Sequence, residues 1–360
     1  MLALLASFAS VMNTILYILL AIVVLLIMIT IHEFGHYIVG KKLGFKINEF
    51  AIGFGKAIFK KTLKSGEIFS IRILPLGGYC AFAGEDEDDP DPAAFNNQKP
   101  WKRMIVQFAG VLFNFLSAII FAFILLVGFG YDVRKVDSVD PMHVQQMNEM
   151  GYTRVLHEGD IIREVNGVKV SFTSGNTFNR LMEDIGVNEE FTYTVEHSDG
   201  STEVLTLQKF ANPSVENDTT GMLGVTLGYY QYTFLEAIAN CVPVAAVMAW
   251  EILVFLFQLL TGAVDLSQVG GPITTIGTMA EYTQINIMNL FIFLPFISVN
   301  LAVFNLLPIP ALDGSRMIFT GIEWIRGKPV NRKVEAWIHF GGLVVLFAFV
   351  IFIDLFNLFT

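Results

Sequence analysis

Charged residues are scarce in this chain of 360 residues. They make up 16% of the sequence, whereas soluble domains carry roughly 25%. Apolar residues account for 54% of the chain. An ordinary soluble enzyme is therefore not expected, and the composition also excludes a disordered chain, a collagen and a coiled coil.

Basic residues and cysteines are also few. The chain has 23 Lys and Arg against 33 Asp and Glu, which gives a net charge of −10. We therefore expect no nucleic-acid partner, because such proteins present a basic surface. Cys80 and Cys241 are the two cysteines and lie far apart, so a disulfide framework and a four-cysteine zinc site are excluded.

The first 31 residues contain no charge at all. A secretory signal peptide begins with a positive region, but here the first basic residues, Lys41 and Lys42, follow the apolar run. The sequence predicts a transmembrane helix over 12–39 with its N-terminus outside the cell.

Other apolar runs are long enough to cross a bilayer. Three of them are predicted spans: 104–128, about 287–312 and 337–357. A fourth run, 237–262, contains Pro243 and Glu251, and its hydropathy alone favours a span.

The distribution of Lys and Arg predicts the orientation. Loop 40–103 holds 11 of them, segment 131–289 holds 7 and loop 314–336 holds 5. Per residue the two shorter loops are the more basic, so they are expected in the cytoplasm. Segment 131–289 is then extracytoplasmic.

The loop 40–103 is predicted to contain β-structure. Residues 67–74 are rich in β-branched residues and partly alternate, which is typical of a strand. Turns are expected at Gly53-Phe54-Gly55 and at 75–78. The acidic run from Glu85 to Asp91 is interpreted as a solvated loop.

Segment 131–212 resembles a PDZ domain. Its most specific part is the Gly-Asp-x-Ile-x-x-Val-Asn-Gly stretch at 159–167, where Asn166-Gly167 suits a tight hairpin turn. A helix is expected at 175–185 and two strands at 191–197 and 202–208. The family's carboxylate-binding loop is not clear in this segment, and the usual small-Gly-apolar step just before Gly-Asp is missing. A generic small α+β domain is the alternative.

His32-Glu33-Phe34-Gly35-His36 is an H-E-x-x-H motif. On a helix the two histidines are one turn apart and can hold one Zn²⁺. Glu33 can then act as general base on a metal-activated water. Ionisable residues in an apolar helix are costly, so a functional role is the default interpretation.

Such a zinc site needs a third protein ligand and an open position. Asp313 follows two prolines at the end of an apolar run, where a carboxylate is costly without a partner. We therefore expect Asp313 to be that ligand, and we expect His339 to be a packed or interfacial histidine. The other histidines considered lie in the soluble module: His143, His157 and His197.

Together these motifs resemble the site-2 protease family of intramembrane zinc metalloproteases. One PDZ-like domain between spans is similar to its bacterial RseP/RasP branch. The resemblance covers nearly the whole chain, with Val111 and Ser315 as departures. Its other matching pieces are Gly53-Phe54-Gly55, Pro75-Leu76-Gly77-Gly78-Tyr79, Gly110-x-x-x-Asn114, Gly271-Pro272-Ile273 and Asn305-x-x-Pro-x-Pro-x-Leu-Asp-Gly.

The resemblance implies the roles of individual residues. His32, His36 and Asp313 bind one Zn²⁺ per chain, and Glu33 is the catalytic base. Asn305 steadies the substrate or the developing oxyanion. Weaker substrate-positioning candidates are Asn114, Asn300, Phe69, Ile71 and Ile73, the last three on a strand expected to hold an unwound substrate by β-augmentation.

The resemblance also implies partners and location. The substrates are single-span membrane proteins already trimmed by an upstream site-1-type protease, such as anti-sigma factors and signal-peptide remnants. The protein is placed in the bacterial inner or plasma membrane, with the PDZ-like domain outside. A membrane chaperone without catalysis and a zinc transporter are the alternatives; the first would lack Glu33 or a ligand, and the second usually shows repeated halves.

The two halves of the zinc site must meet at one membrane depth. His36 lies near the inner end of the first span, so the span before Asp313 must also enter from outside. We therefore predict that 237–262 lies at the outer face and does not cross.

The predicted fold class is a four-span α-helical membrane protein with a membrane-associated β-hairpin region and one extracytoplasmic PDZ-like α+β domain. The predicted segments are a first helix (1–39), a cytoplasmic β region (40–103), a second helix (104–130), the PDZ-like domain (131–212), a linker (213–286), a third helix ending in Leu-Asp-Gly (287–314), a cytoplasmic loop (315–336) and a fourth helix (337–360).

Overall fold

The computed structural model describes residues 2–85, 87, 89–149, 151, 156–172, 177–183, 185–209 and 224–359. Within this part the chain forms two compact units, Met1–Phe121 with Met248–Thr360, and Ala122–Val247. The predicted linker between 213 and 223, and the first two residues of the helix predicted at 175–185, lie outside the described residues.

Helices dominate the described chain. They are α1 (Leu2–Lys42), α2 (Pro100–Gly128), α3 (Pro141–Glu149), α4 (Phe178–Glu183), α5 (Phe234–Thr261), α6 (Pro272–Ile285), α7 (Met288–Leu306), α8 (Asp313–Arg326) and α9 (Arg332–Phe359). Strands are β1 (Ile47–Thr62), β2 (Ile68–Phe82), β3 (Arg134–Val139), β4 (Ile161–Val165), β5 (Val168–Lys169), β6 (Glu190–Glu196), β7 (Thr202–Gln208) and β8 (Val225–Tyr229).

Five of the described helices, α1 from Val11 onward, α2, α5, α7 and α9, are long and apolar enough to cross a membrane. The chain is therefore a multi-pass membrane protein. Because α5 is one of the five, length and composition alone do not separate four spans from five. Its placement at the outer face stays a prediction.

The first helix is the centre of the larger unit. Ala21, Val24 and Met28 of α1 are buried against Met279 of α6 and Ile297 of α7. This packing uses the apolar surface that the uncharged N-terminal run supplies. It fixes the direction in which the following turns of α1, with His32 and His36, project.

The third predicted span ends earlier than expected. α7 stops at Leu306, and Leu307 is extended (φ −65°, ψ 148°), because the residue before a proline is disfavoured in a helix. Asp313 is instead the first residue of α8. The prediction of one helix over 287–314 was therefore wrong, and much of the predicted loop 315–336 is helical.

The N-terminus of α6 is held by an acidic side chain of α9. Asp354 accepts hydrogen bonds from the backbone N–H groups of Ile273 (3.2 Å) and Thr274 (3.0 Å) and from the Thr274 hydroxyl (2.8 Å). A Cβ at Gly271 would lie 2.4 Å from the Asp354 carboxyl carbon. The Gly271-Pro272 pair thus lets α9 reach and cap α6, favourably for the helix dipole.

The strands β1 and β2 are both bent and pair with each other in three segments. Residues 49–52 pair with 68–71 and also with 78–81, while 59–62 pair with the other side of 68–71. β1 bends at Gly53 and Gly55, whose φ angles of +88° and +82° suit glycine. The prediction that strand 67–74 holds a substrate by β-augmentation was therefore wrong, since the middle of that segment has strand partners on both sides.

The side chains expected to hold substrate on this strand are not aligned as one surface. Phe69 is partly buried, with its ring 6.2 Å from the rings of both Phe50 and Phe59. Ile71 and Ile73 are exposed. In the described pairing, residues 79–82 have strand partners on one side only, from 47–51.

The smaller unit contains a sheet with strand order β7-β6-β4-β3-β8, to which β5 adds by pairing with β4. Its core includes Val136, Ile162, Tyr193 and Leu205. Asn166 and Gly167 both adopt positive φ, 50° and 74°, as expected for the predicted turn. The sheet includes β8, so it extends beyond the predicted domain boundary at 212. The assignment of this unit as a PDZ domain stays a prediction.

Candidate metal centre

Three polar atoms converge where α1 meets the start of α8. The Oδ2 atom of Asp313 lies 3.0 Å from Nε2 of His32 and 3.2 Å from Nε2 of His36. The two Nε2 atoms are 3.2 Å apart. Both imidazoles are buried, so the predicted ligand set comes together as a triangle with nearly equal sides.

Close helix packing makes this convergence possible. A Cβ at Gly110 of α2 would lie 2.4 Å from His36 Nε2, and one at Gly35 would lie 2.5 Å from the Ala109 carbonyl oxygen. Any larger residue at either position would push α2 away from α1 or displace the imidazoles. The glycine inside H-E-x-x-H is thus explained by packing.

Hydrogen bonds on the far side of the rings set the tautomers. His36 Nδ1 lies 2.7 Å from the Val106 carbonyl oxygen, which can only accept, so Nδ1 carries the proton. The lone pair of His36 then lies on Nε2, facing Asp313. This arrangement is typical of a metal-binding histidine oriented by a backbone carbonyl.

Asn114 performs the same task for His32. Its amide group is buried, with Nδ2 3.2 Å from His32 Nδ1 and Oδ1 without a partner among the described residues. A metal-bound His32 carries its proton on Nδ1, which the amide oxygen would accept after a half-turn of the amide. This half-turn exchanges the positions of Oδ1 and Nδ2, which have the same shape but opposite hydrogen-bonding roles. The Asn114 oxygen would then accept the Nδ1 proton of His32.

We expect Asn114→Ala to lower zinc affinity about 10–100-fold, the usual cost of losing such an outer partner. Titration against a competing chelator measures the change. Leu116→Ala, which truncates an exposed side chain of the same helix, is the matched control. Equal zinc affinity of Asn114→Ala and the wild type would contradict this role.

The side chain of Glu33 is held by the β region. Its Oε2 accepts the backbone N–H of Cys80 at 3.0 Å. The outward N–H of Cys80 thus fixes one oxygen of the Glu33 carboxylate and leaves the other oxygen for a second partner. This contact has no sequence signal, because the donor is a backbone N–H and lies 47 residues from Glu33.

A cavity of about 510 Å³ surrounds these groups. It is lined by the three converging residues, by Glu33, by Asn305 and by residues 79–82. The side chain of Asn305 lies on the cavity wall and donates to the Leu301 carbonyl (3.0 Å). Asn300 has a buried Oδ1 without a partner among the described residues and is not part of this lining.

The donor set fits a zinc ion. Two imidazole nitrogens and one carboxylate oxygen are the ligands of many catalytic zinc sites, with metal–ligand distances of roughly 2.0–2.2 Å. Donors of a tetrahedral site are then about 3.3 Å apart, close to the observed 3.0–3.2 Å. Three electron-rich atoms facing one another in a buried place would be stabilised by a cation between them.

A second group of possible metal ligands lies in the smaller unit, formed by His157, Asp160 and His197. Asp160 accepts the His157 backbone N–H (2.8 Å) and lies 2.7 Å from His197 Nδ1. Both carboxylate oxygens are thereby used in hydrogen bonds that hold the turn before β4. These bonds account for the group without a metal.

The fold and this centre define a class: a membrane-embedded metalloprotease with a His-Glu-x-x-His helix and an aspartate from a distant helix. Residues 20–349 match peptidase family M50. The chain belongs to this family, the site-2 protease family, and is a metalloprotease. The resemblance drawn from the motifs is confirmed.

Several relatives cover nearly the whole chain. A protein of Fusobacterium nucleatum named as a zinc metalloprotease is 30% identical over 350 residues, covering 93% of this chain and 96% of its own. A zinc metalloprotease of Nostoc is 31% identical, covering 93% and 94%. The regulator of sigma-W protease RasP of Bacillus subtilis is 29% identical, covering 88% and 92%.

Proposed function

We propose that this protein is an intramembrane zinc endopeptidase that cleaves the transmembrane segments of single-span membrane proteins after their outer domains have been trimmed. The observation that carries the proposal is the triangle of His32, His36 and Asp313, with Glu33 beside it, at the end of an apolar helix. The cost of placing such groups there favours catalysis over a purely structural role.

His32, His36 and Asp313 would hold one Zn²⁺, which supplies a Lewis acid and lowers the pKa of a bound water to about 7. Glu33 would take the proton of the attacking water and later give it to the leaving amine. Because the Cys80 N–H holds Oε2 of Glu33, Oε1 would be the oxygen that takes the proton.

Asn305 is suited to hold the scissile region of a substrate. It lies in the wall of the cavity, and its amide has a second N–H besides the one given to Leu301. That N–H can donate to a substrate carbonyl or to the developing oxyanion. Asn300 lacks such a position, and a role for it in the packing of α7 is favoured.

A substrate helix must unwind before cleavage, because its carbonyls are already hydrogen-bonded. The strand segment suited to hold it in extended form is 79–82 and not the predicted strand 67–74. This segment lines the cavity and has strand partners on one side only in the described pairing. An extended peptide added there by β-augmentation would pass directly beside Glu33. It would pair with the outward backbone groups of this segment other than the Cys80 N–H, which Glu33 accepts.

Crosslinking from Cys80 tests this placement. In a Cys241→Ser background, single cysteines activated as mixed disulfides at successive substrate positions should react with Cys80 at every second position, the period of a strand. Burial, together with the nearby carboxyls of Glu33 and Glu85, raises the pKa of the Cys80 thiol, so the pattern of reacting positions is compared at one fixed pH and reaction time. A spacing of three to four residues would contradict strand addition.

The matched control moves the thiol to the inner segment. Ile71→Cys, with both native cysteines changed to serine, places an exposed thiol where the backbone is paired on both sides. It should not show the alternating pattern. Equal reaction at positions 71 and 80 would remove 79–82 from the substrate path.

Relatives indicate the biological setting. RasP is named for the regulation of sigma-W, so anti-sigma factors are the first substrates to consider, followed by signal-peptide remnants. An upstream site-1-type protease would act on the same substrates. The site would lie in the bacterial cell membrane, with the N-terminus and the PDZ-like domain outside.

This topology requires an even number of crossings between the PDZ-like domain and α7. We propose that α5 lies at or partly in the outer face, as the meeting of α1 and α8 at one depth demands. Accessibility of single cysteines at 263–286 to membrane-impermeant reagents from outside would support it. Labelling of these positions from the cytoplasm would overturn it.

Cleavage by the purified full chain in proteoliposomes tests the function. A single-span substrate with a shortened outer domain should be cleaved within its span. Preincubation with 1,10-phenanthroline should abolish cleavage and added Zn²⁺ should restore it, while the non-chelating 1,7 isomer should have no effect. Cleavage that survives complete zinc removal would overturn the proposal.

A further inference from the structure

The turn that delivers Asp313 to the metal centre has an unfavourable backbone conformation. Ala311 adopts φ +81°, which L residues other than Asn and Asp rarely do. The other described non-glycine residues with positive φ are all Asp or Asn. Such a conformation persists only where the surroundings impose it.

The contact that imposes it comes from α9. The backbone N–H of Ala311 donates to Nδ1 of His339 at 3.0 Å. On either side of it, Pro310 has no N–H to offer, and the N–H of Leu312 is used by the Ile309 carbonyl (3.1 Å). His339 therefore holds the one backbone donor at the point where the chain turns.

The imidazole of His339 packs against α8. Its ring lies 5.5 Å from the ring of Phe319 on α8. Because Nδ1 accepts, the proton lies on Nε2, and Glu335 Oε1 lies 3.9 Å from that atom. A Cβ at Gly342 would lie 2.3 Å from Pro310 Cβ, so α9 packs directly against the turn.

The turn is only two residues from the ligand. Asp313 Oδ2 must lie close to 3 Å from two nitrogens at once, and α8 starts there without a side-chain cap. A relaxed Ala311 would shift the start of α8 and open the triangle, since metal ligands must be held within about 0.5 Å.

We propose that His339, which sequence reasoning treated as a packed histidine, is a positioning residue of the metal centre. It acts through Ala311 by holding the left-handed turn that directs Asp313 towards His32 and His36. The inference rests on the proposed zinc site and adds a residue to it that no motif includes.

Two substitutions at one position separate hydrogen bonding from packing. His339→Phe keeps an aromatic ring against Phe319 but removes the acceptor. His339→Asn keeps an acceptor at the position of Nδ1. We expect His339→Phe to weaken zinc binding about 10–100-fold and His339→Asn to restore most of the affinity.

A second-site change tests the role of the backbone. Glycine adopts positive φ at no steric cost, so Ala311→Gly should recover part of the zinc affinity lost in His339→Phe. Trp337→Phe, an exposed change on the same helix, should have no effect. If His339→Phe and His339→Asn weaken zinc binding equally and Ala311→Gly restores none of the lost zinc affinity, the proposal fails.

Hydrogen exchange of the peptide 307–315 in zinc-free full-length protein gives a readout that does not depend on zinc. The Ala311 amide should exchange faster in His339→Phe than in the wild type and in His339→Asn. A wild type that binds no zinc would overturn the proposed function, whereas unchanged exchange in His339→Phe would overturn the positioning role alone.

Discussion

Glu33→Gln is expected to reduce the rate of cleavage of a single-span substrate by about 10²–10⁴-fold, the usual contribution of a general base. Glutamine has the same shape and can still accept the Cys80 N–H that holds Oε2 at 3.0 Å. It cannot take a proton from water. Single-turnover cleavage by purified protein measures the loss, and bound zinc should stay at one per chain.

Two further variants make this result specific. Glu33→Asp keeps the carboxylate but withdraws it from the cavity, so it should retain some activity. Glu85→Gln removes a carboxyl that lines the cavity but is not among the proposed zinc ligands and is paired with Arg316. It should change cleavage far less than Glu33→Gln. Full activity of Glu33→Gln with zinc bound would exclude Glu33 as the base.

The ligand triangle could be predicted because its signals are local and energetically costly. A histidine pair one turn apart, with a glutamate between them, needs no knowledge of the fold to suggest a metal. Asp313 was identified from the cost of a carboxylate after an apolar run. Once the histidine pair requires a third ligand, His32 and His36 become the partners of Asp313, although they lie more than 270 positions away.

The β region could not be predicted to the same extent. The composition of 67–74 indicates a strand, but whether it is an edge depends on pairing with 49–52 and 59–62. That pairing arises from the bends at Gly53 and Gly55, and a bend changes which segments become neighbours. Edge and centre strands therefore look alike in one sequence.

The contacts that position the ligands were missed for a related reason. Cys80 and Val106 act through backbone atoms, and His339 accepts the backbone N–H of Ala311, a residue with positive φ. Backbone groups carry no sequence signal. A lone histidine on an apolar helix is also more often packed than functional, so this assignment needed the structure.

Asp313→Ala should lower zinc affinity more than Asn114→Ala or His339→Phe, that is, by more than the 10–100-fold expected when an outer partner is removed. The remaining ligands would be two neutral imidazoles in a buried place, without the negative charge that offsets the ion. Zinc titration against a chelator measures the affinity. Thermal unfolding provides a second measurement, because zinc at 100 times its Kd stabilises the wild type by about 2.7 kcal/mol.

The expected result is a wild type whose Tm rises with zinc and an Asp313→Ala protein whose Tm does not. Asp313→Asn should fall between them, since it keeps an oxygen donor but loses the charge. Glu281→Gln, an exposed acid on α6, should behave as wild type. If Asp313→Ala kept its zinc affinity, the third ligand would lie elsewhere, and the close approach of Oδ2 to two imidazole nitrogens would need another cation to explain it.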